Sequence, residues 1–170
     1  MAEQPASVQD IGARIAEWAG PLFDEAAIAT PAELEARADW FAHVLDSVKP
    51  RARTLHELVQ RARFFFLGPL EYEREAVAKH WKEKDAAAER LRRLEAALED
   101  LGAWEAAALE AQVRAIAELM GIGAGKLIHP LRLVLTGSAL SPGIFEVMHL
   151  MGREFVLRRI GDPVEHLSGA

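Results

Sequence analysis

The stretch Gly125–Ile160, which reads GKLIHPLRLVLTGSALSPGIFEVMHLMGREFVLRRI, combines an arginine in an apolar run with two turns that open helices. Pro130 is expected to interrupt one helical turn, and Gly137 ends the apolar run. Arg132 lies inside this run, and an arginine is rarely buried unless it is paired. We therefore expect Arg132 either to pair with an acidic side chain of the core or to reach out beside an open helix start.

A new helix is predicted directly after this run, at Ser141-Pro142-Gly143. Serine is a preferred N-cap residue, and proline is favoured at the first helical position because its missing N–H would be unpaired there anyway. The pattern therefore predicts Ser141 as the N-cap and Pro142 as the first residue of the helix.

The rest of the chain repeats apolar residues at three- and four-residue spacing, which is typical of amphipathic helices. It shows no alternation of strand and helix patterns from which a parallel sheet could be built, so the predicted fold class is all-α. In the first helix, Ser7 is the expected N-cap, and Val8, Ile11, Ile15 and Trp18 are expected to form the apolar face. The predicted helices run, in chain order, from Ser7 to Gly20-Pro21, in a short piece up to Ile28, from Thr30 to Pro50, from Thr54 up to the aromatic run Phe64-Phe65-Phe66, from Tyr72 to Trp81, from Lys84 to Leu101, and from Trp104 to Met120.

Two of these helix starts carry capping patterns. Thr30-Pro31-Ala32-Glu33 is a capping box, in which the threonine and glutamate side chains accept hydrogen bonds from each other's backbone N–H groups. Thr54 is predicted to cap the backbone N–H of Glu57. Arg51 and Arg53 precede this second start, where guanidinium groups and a helix N-terminus together would attract a phosphate or a base edge.

The aromatic run Phe64-Phe65-Phe66 is open to two interpretations. Aromatic rings can stack on unpaired bases. Three aromatic residues just before Gly68-Pro69, at a helix exit, are more often core residues, and we favour that interpretation.

The net charge of −6 is distributed unevenly along the chain. Residues 1–48 carry −7 and residues 64–120 carry −4, while residues 49–63 carry +4 and residues 121–160 carry +3. An acidic body with two basic segments is what a protein with a local phosphate-binding surface would look like. The alternative is that both basic segments are ordinary solvated surface.

The composition excludes several classes of protein. The 170 residues contain no cysteine, so disulfides, thiolate metal sites and cysteine nucleophiles are excluded. No apolar run approaches the ~18 residues that span a bilayer, and the N-terminus lacks the basic flank and apolar stretch of a signal peptide. We expect a soluble, cytoplasmic protein with no membrane partner.

Two motif-like stretches fail to match patterns that carry catalytic chemistry. Gly121–Lys126 reads GIGAGK, but a phosphate-binding loop would need glycine at Met120 and Ser or Thr at Leu127. His56–Gln60 reads HELVQ and lacks the second histidine of a zinc-protease helix. The six histidines show no ligand spacing, so we predict no metal site. Since no catalytic or cofactor-binding motif is complete, we also predict no catalytic residue and no cofactor in this chain.

Two ordered blocks of sequence carry a family resemblance. The later block contains Pro130-Leu131-Arg132, Leu135-Thr136-Gly137, Ser141-Pro142-Gly143-Ile144-Phe145-Glu146 and Gly152-Arg153-Glu154, and the earlier block contains Arg51-Ala52-Arg53-Thr54-Leu55, Glu57-Leu58 and Phe64-Phe65-Phe66. In this order they resemble the C-terminal anticodon-binding domain of bacterial-type glutamyl-tRNA synthetases, which are class I aminoacyl-tRNA synthetases. The resemblance covers roughly residues 39–160, and residues 1–35 show no recognised feature beyond the helical pattern.

The resemblance implies a tRNA-binding module of protein biosynthesis that recognises the anticodon loop of glutamate tRNA, with no DNA partner. In that family, residues at equivalent positions surround the middle anticodon bases, and an arginine near the earlier block reaches the third base. The RNA-binding residues implied in this way are Arg114, Arg132, Ser141, Pro142 and Ile144 for the middle bases, and Arg51 or Arg53 for the third base.

The resemblance also implies a two-part helical bundle, the α-helix cage of this family, with a first subdomain at residues 1–101 and a second at residues 102–170. The HIGH-like and KMSKS-like signatures of a class I catalytic domain do not occur in this sequence. We therefore expect either a piece of a glutamyl-tRNA synthetase or a free-standing relative. ATP and Mg²⁺ would belong to a catalytic domain outside this chain, and such a domain would be a further partner.

Two other classes of function stay open at this point. One is a helical protein-interaction module that keeps the fold but has lost RNA binding. The other is an enzyme with its own site, which is disfavoured because the sequence offers no catalytic constellation.

Overall fold

The structure is a computed structural model that describes residues 8–161, with side chains from residue 12 onwards. The described residues form ten α-helices and two 3-10 helices without a β-strand, which confirms the all-α prediction. The predicted N-cap Ser7 lies outside the described residues, as do the side chains of Val8 and Ile11. The α-helices are α1 Val8–Glu25, α2 Pro31–Ala36, α3 Ala38–Val48, α4 Leu55–Ala62, α5 Arg74–His80, α6 Lys84–Glu99, α7 Ala106–Leu119, α8 Gly125–Thr136, α9 Ile144–Met151 and α10 Arg153–Gly161, and the 3-10 helices are Lys49–Arg51 and Arg63–Phe65.

None of the helices in this range combines the length and the apolar character that crossing a bilayer requires. Helices α5, α6 and α7 lie where the periodicity predicts them and are somewhat shorter at their ends than predicted. The apolar stripe Leu91, Leu94 and Leu98 of α6 is fully buried.

The described chain divides into two compact units, with the division between Leu67 and Gly68. The first unit contains α1 to α4, and the second contains α5 to α10. The predicted subdomain boundary at Leu101–Gly102 falls inside the second unit, where α6 packs against α7, α8 and α10. The glycine turn at Gly102 marks where one helix ends and the next begins. A compact unit, in contrast, consists of the helices that share one hydrophobic core. The boundary at residue 101 therefore stays a prediction about subdomains and does not coincide with the division of the cores.

Helix α1 continues through Pro21, although the sequence predicts that it ends at Gly20-Pro21. A proline in a helix removes one backbone hydrogen bond. The added turn buries Phe23, which is 0% exposed and packs edge-on against Phe41 with ring centroids 5.0 Å apart. This aromatic burial offsets the missing hydrogen bond.

Before Phe23, the buried residues of α1 are small, namely Gly12, Ala16, Ala19 and Gly20. A Cβ added to Gly12 would lie 3.0 Å from the backbone of Ala38, and a Cβ added to Gly20 would lie 3.1 Å from Pro31. At this close approach of backbones, a large side chain has no room. The prediction that Trp18 faces the core is therefore wrong, and this residue is 54% exposed.

The predicted helix from Thr30 to Pro50 is two helices, α2 and α3, which meet at Arg37. Arg37 leaves helical geometry with φ −127° and ψ 34°, and its guanidinium lies 3.6 Å from the centroid of the Trp40 ring. The capping box at the start of α2 is confirmed, since the Thr30 N–H donates to Glu33 Oε2 at 2.7 Å and the Glu33 N–H donates to Thr30 Oγ1 at 3.3 Å.

The core interpretation of the aromatic run is confirmed. Phe64 and Phe65 are buried, and Phe66 is half-buried against other aromatic rings of the first unit. The centroid of the Phe66 ring lies 5.2 Å from that of Trp40 and 5.6 Å from that of Phe23. These rings stabilise the unit and are not presented to solvent as a stacking surface.

Helix α8 runs without a break through Pro130, so the predicted interruption at that residue is wrong. The helix ends where the sequence predicts, at Gly137, whose φ of 77° is left-handed. A Cβ at this position would overlap the Glu71 carbonyl oxygen and would lie 2.6 Å from Pro69 Cβ. Both the backbone conformation and the close packing therefore require glycine here.

Candidate nucleic-acid interface

Arg132 lies on α8 and reaches the turn that precedes α9. Its side chain is half-buried, and Nη1 donates to Ser141 Oγ at 2.6 Å and to the Pro142 carbonyl oxygen at 3.2 Å. The Ser141 hydroxyl also donates to the Pro142 carbonyl oxygen at 2.8 Å. Of the two placements that the sequence leaves open, these bonds correspond to the one beside a helix start.

The start of α9 differs from the prediction. The helix begins at Ile144 with Gly143 as N-cap, so the predicted roles of Ser141 as N-cap and Pro142 as first helical residue are wrong. The reason is that the Ser141 hydroxyl bonds to Arg132 and Pro142 instead of to the first turn of the helix. Gly143 provides no side-chain cap, so no side chain covers the first N–H groups of α9 from that position.

Three of the predicted site residues thus come together, namely Arg132, Ser141 and Pro142. Ile144, which the resemblance adds to this group, is 3% exposed and belongs to the core of the second unit. Its role in RNA binding stays a prediction.

Glu73 fixes the loop between α8 and α9, and the sequence gives no indication of this. Its Oε2 accepts hydrogen bonds from the Ser138 hydroxyl at 2.9 Å and from the Ala139 N–H at 3.0 Å. The Glu73 N–H donates to the Gly137 carbonyl oxygen at 2.8 Å. The Ala139 N–H, followed by the Ser138 hydroxyl, lowers the pKa of Glu73 below its ordinary value. The loop that leads to Ser141 is therefore tied to the start of α5.

Arg153, in the Gly-Arg-Glu part of the later sequence block, has a structural role. Its guanidinium donates to the Glu99 carbonyl oxygen at 2.9 Å and to the Leu101 carbonyl oxygen, and so caps the C-terminal end of α6. It also lies 5.1 Å from the Trp104 ring centroid. The Trp104 indole N–H donates to the Met148 carbonyl oxygen at 2.8 Å, which fastens the α6–α7 turn to α9.

Two arginines of α10 differ in their surroundings. Arg159 is half-buried and donates to the Tyr72 hydroxyl at 2.8 Å and to the Val134 carbonyl oxygen at 3.1 Å. Burial raises the pKa of Tyr72, and the charge of Arg159 opposes that shift. Arg158 is exposed, 5.4 Å from the centroid of the Phe155 ring.

Arg114 is exposed on α7 and forms an ion pair one helical turn away. Its Nε donates to Glu110 Oε1 at 2.9 Å, and its Nη2 lies 2.8 Å from the same oxygen. Such an exposed pair contributes about 0.3–0.5 kcal/mol, so a nucleic-acid ligand could displace Glu110 at small cost. The anticodon-binding role of Arg114 stays a prediction.

Arg51 and Arg53 belong to the first unit, and both side chains are exposed. The predicted cap of α4 is confirmed, because the Glu57 N–H donates to Thr54 Oγ1 at 3.1 Å. The Arg53 N–H, one residue before the N-cap, donates to Glu57 Oε2 at 2.8 Å. Arg53 and Trp18 both line an open groove of about 560 Å³.

Arg51 and Arg53 thus belong to one unit, while Arg114 and Arg132 belong to the other, so a surface shared by all four arginines stays a prediction. Within the part of the chain that the structure describes, no three potential metal ligands come together. The polar groups around Arg132 provide hydrogen bonds and a positive charge, which is the chemistry that recognises base edges and phosphates.

Comparison with known proteins gives the class of the chain. Residues 14–162 match the family model described as the anticodon binding domain. The chain therefore belongs to the anticodon-binding domain family, and it is a tRNA-binding module related to glutamyl-tRNA synthetases.

Individual relatives support this relation and confirm the family resemblance. Glutamate–tRNA ligase 2 of Rubrobacter xylanophilus is 35% identical over 154 residues, which cover 91% of this chain and 31% of that protein. Glutamate–tRNA ligase 1 of Brucella melitensis is 41% identical over 121 residues, which cover 71% of this chain and 25% of that protein. A crystal structure of a glutamate tRNA ligase from Elizabethkingia meningosepticum, in complex with its amino acid, matches 92% of this chain and 30% of its own length, with a TM-score of 0.67 and 25% identity. The chain spans about a third of the length of these relatives or less.

Proposed function

We propose that this chain recognises the anticodon loop of glutamate tRNA and that Arg132 reads a base of that loop. The observation that carries the proposal is the pair of hydrogen bonds from Arg132 Nη1 to Ser141 and Pro142. They fix the guanidinium of a half-buried side chain at the turn before α9. A guanidinium held in place before binding loses less conformational entropy when it meets its ligand.

The type of ligand follows from what such a group can read. Unpaired bases of an RNA loop expose hydrogen-bonding edges, whereas an RNA duplex offers mainly its shape, 2′-hydroxyls and phosphates. Arginine forms two parallel hydrogen bonds with a suitable base edge. The relatives are glutamate–tRNA ligases, which supports glutamate tRNA as the particular ligand.

The other predicted residues take supporting roles in this proposal. Ser141 and Pro142 position Arg132, and Ile144 keeps the start of α9 packed on the core. Arg114 would break its ion pair with Glu110 and bind RNA instead. Arg51 or Arg53 would reach the third anticodon base from the first unit.

We also propose that aminoacylation with ATP and Mg²⁺ requires a catalytic domain outside residues 1–170, and that the assembly works in the cytoplasm. The motivation is that the relatives are ligases of which this chain matches a third or less. The pure chain should then support no glutamate-dependent exchange of pyrophosphate into ATP. Measurable exchange would contradict this part of the proposal.

A binding titration tests the main proposal. Fluorescence anisotropy would compare labelled glutamate tRNA, the same tRNA with a changed anticodon, and an unrelated tRNA. Arg132→Ala should reduce the preference for the matching anticodon by about 5- to 150-fold, which corresponds to about 1–3 kcal/mol for a bidentate base contact. Arg158→Ala is the matched control, because Arg158 is an exposed arginine of the same unit, and it should leave the preference unchanged.

The same titration separates RNA binding from the open alternative, a protein-interaction module. RNA binding that neutralises phosphates should weaken as salt increases, because the protein releases counterions from the RNA. An Arg132→Ala protein that keeps the full anticodon preference would overturn the assignment of Arg132 as a reader.

A further inference from the structure

A basic pocket lies in the second unit, where the end of α5 and the start of α6 meet the first turns of α8. Its volume is about 330 Å³, which is within the range of small-ligand pockets. We call it the histidine pocket and define it by its basic residues, which are Lys79, His80, Lys82, Arg90, Lys126 and His129.

Two stacked imidazoles form one wall of the histidine pocket. The rings of His80 and His129 are nearly parallel, with centroids 4.4 Å apart and an interplanar angle of 17°. Gly125 lies next to them, and a Cβ there would come within 3.4 Å of the His129 ring. The stack thus places two ring N–H donors beside a cluster of cationic side chains.

The charge of this pocket is unusual for an acidic protein. Four cationic side chains and one carboxylate, that of Glu83, line it, so its net charge is +3 with neutral histidines, while the whole chain carries −6. Within residues 12–161, no carboxylate lies within 4.0 Å of the nitrogens of these four cations. In contrast, Arg92, Arg93 and Arg114 lie within that distance of glutamates. A pocket that gathers like charges without neutralising them is suited to an anionic ligand.

The histidine pocket also has a defined relation to Arg132. Lys126, His129 and Arg132 follow each other at three-residue spacing on α8. Residues at this spacing are neighbours on a helix surface, and each step rises about 4.5 Å along the axis. Arg132 is one such step from His129 and two steps, about 9 Å along the axis, from Lys126, so a nucleotide strand that presents one base to Arg132 and runs along α8 would bring its backbone to His129 and the pocket.

We propose that the histidine pocket binds a phosphate group, and that the RNA strand whose base Arg132 reads supplies it. The inference rests on the proposed function, because it takes the position of the strand from Arg132. Lysine and arginine side chains neutralise the phosphate, and the ring N–H groups of the stacked histidines donate hydrogen bonds to its oxygens.

Binding at this site is linked to protonation of His80. Burial, the charge of His129 and the charge of Lys79 together lower the pKa of His80. The charged and titratable groups that face it are Lys79, Lys82, Glu83, Arg90, Lys126 and His129. A bound anion opposes the repulsion from these cations and so raises the pKa of His80. Phosphate affinity should therefore increase as pH falls through the range in which His80 takes up its proton.

The first experiment compares two double variants that change the net charge equally. Lys82→Gln with Lys126→Gln removes two exposed cations from the pocket, and Arg92→Gln with Arg93→Gln removes two exposed cations that lie outside it. The affinity for glutamate tRNA is measured by anisotropy over a range of salt concentrations. The pocket variant should lower the slope of log affinity against log salt by about one, whereas the control should leave it unchanged.

The second experiment uses the unaltered protein and does not depend on any variant. The pKa of His80 is measured by NMR without ligand, with inorganic sulfate and with glutamate tRNA. Sulfate is chosen as the free anion because its own charge does not change over the range in which histidine titrates. Both ligands should raise the pKa of His80, and His43, His56 and His149 are internal controls that lie outside the pocket.

The outcomes distinguish this inference from the proposed function. Equal salt slopes for both double variants, together with a loss of anticodon preference in Arg132→Ala, would contradict phosphate binding in the histidine pocket. The same result would support the proposed function. If the unaltered protein binds no RNA but sulfate still raises the pKa of His80, the proposed function fails and RNA is excluded as the source of the phosphate. A pKa of His80 that neither ligand changes would overturn the anion site itself.

Discussion

Arg132 and Ser141, nine positions apart in sequence, are joined by a hydrogen bond of 2.6 Å from Nη1 to Oγ, across the end of α8 and most of the loop to α9. This bond is the structural core of the candidate interface, because it fixes a charged group at the turn in front of a helix. Ser141 has no formal charge, so its effect on RNA binding can be measured separately from that of Arg132. In the proposed function Arg132 contributes the group that reads a base, and Ser141 contributes its orientation.

Ser141→Ala should therefore weaken tRNA discrimination less than Arg132→Ala does. The variant loses the bond from Arg132 and the bond that the Ser141 hydroxyl donates to Pro142, and it should lose about 1.5–3 kcal/mol of stability or less, since the bond from Arg132 to Pro142 is retained. A double-mutant cycle provides the measurement. If Ser141 acts only by positioning Arg132, Ser141→Ala should have no effect on anticodon preference in the Arg132→Ala background. An undiminished effect in that background would show that Ser141 acts on the RNA independently.

The carboxylate of Glu73 should make stability depend on pH in the acidic range. Its pKa is lowered in the folded protein by the N–H of Ala139, so the folded state binds fewer protons than the unfolded state in that range. The stabilisation is present above the ordinary glutamate pKa of about 4.3 and is lost as pH falls through the lower folded value. Urea unfolding at several pH values should show a stability difference between wild type and Glu73→Gln that shrinks on acidification.

A matched variant checks the cause of this pH dependence. Ser138→Ala removes the second donor to Glu73 and keeps the first, so it should reduce the pH dependence without abolishing it. Glu33 also has a lowered pKa, caused first by the backbone N–H of Thr30. It is present in all three proteins, so its contribution cancels when their stabilities are compared.

Gly137→Ala should destabilise the second unit more than Gly121→Ala does. Both glycines have left-handed φ values, 77° and 64°, and each substitution should cost about 1 kcal/mol or more for the backbone conformation alone. A Cβ at residue 121 meets nothing within 4 Å, whereas a Cβ at residue 137 overlaps the chain near Glu71 and Pro69. Thermal unfolding of the two variants measures the difference, and equal melting temperatures would contradict the close packing at Gly137.

Arg153→Met should destabilise the protein without changing its tRNA preference. The substitution keeps an unbranched apolar stem and removes the guanidinium that caps α6 at Glu99 and Leu101. The expected loss is about 1–3 kcal/mol, measured by urea unfolding, because carbonyl groups lose a charged donor. A change in anticodon preference at temperatures where the variant is fully folded would indicate that Arg153 contacts the RNA.

Much of the fold follows from local sequence patterns. The capping box at Thr30, the side-chain cap at Thr54 and the glycine stop at Gly137 are determined by residues a few positions apart, and the structure confirms all of them. The errors occur where tertiary packing outweighs a local preference. Proline residues lie inside α1 and α8, and Trp18 faces solvent because the opposite face of its helix approaches another backbone too closely for large side chains.

The candidate site was accessible from sequence only in part. The presence of Arg132 in an apolar run marked a residue that needs partners, but the identity of those partners depends on how the loop from Gly137 to Gly143 folds. Glu73 holds this loop from more than sixty residues away, and no periodicity or motif connects the two. The stacking of His80 on His129 could not be predicted for the same reason, because the two residues are far apart in sequence.

The backbone and the side chain of Arg53 have different roles at the start of α4. The backbone N–H of Arg53 completes the cap with Glu57, while its side chain extends into solvent. The fold thus uses only the main chain of this residue, and most side chains other than proline could replace arginine at little cost in stability. Substitutions at position 53 therefore test its proposed contact with RNA without a compensating change elsewhere in the protein.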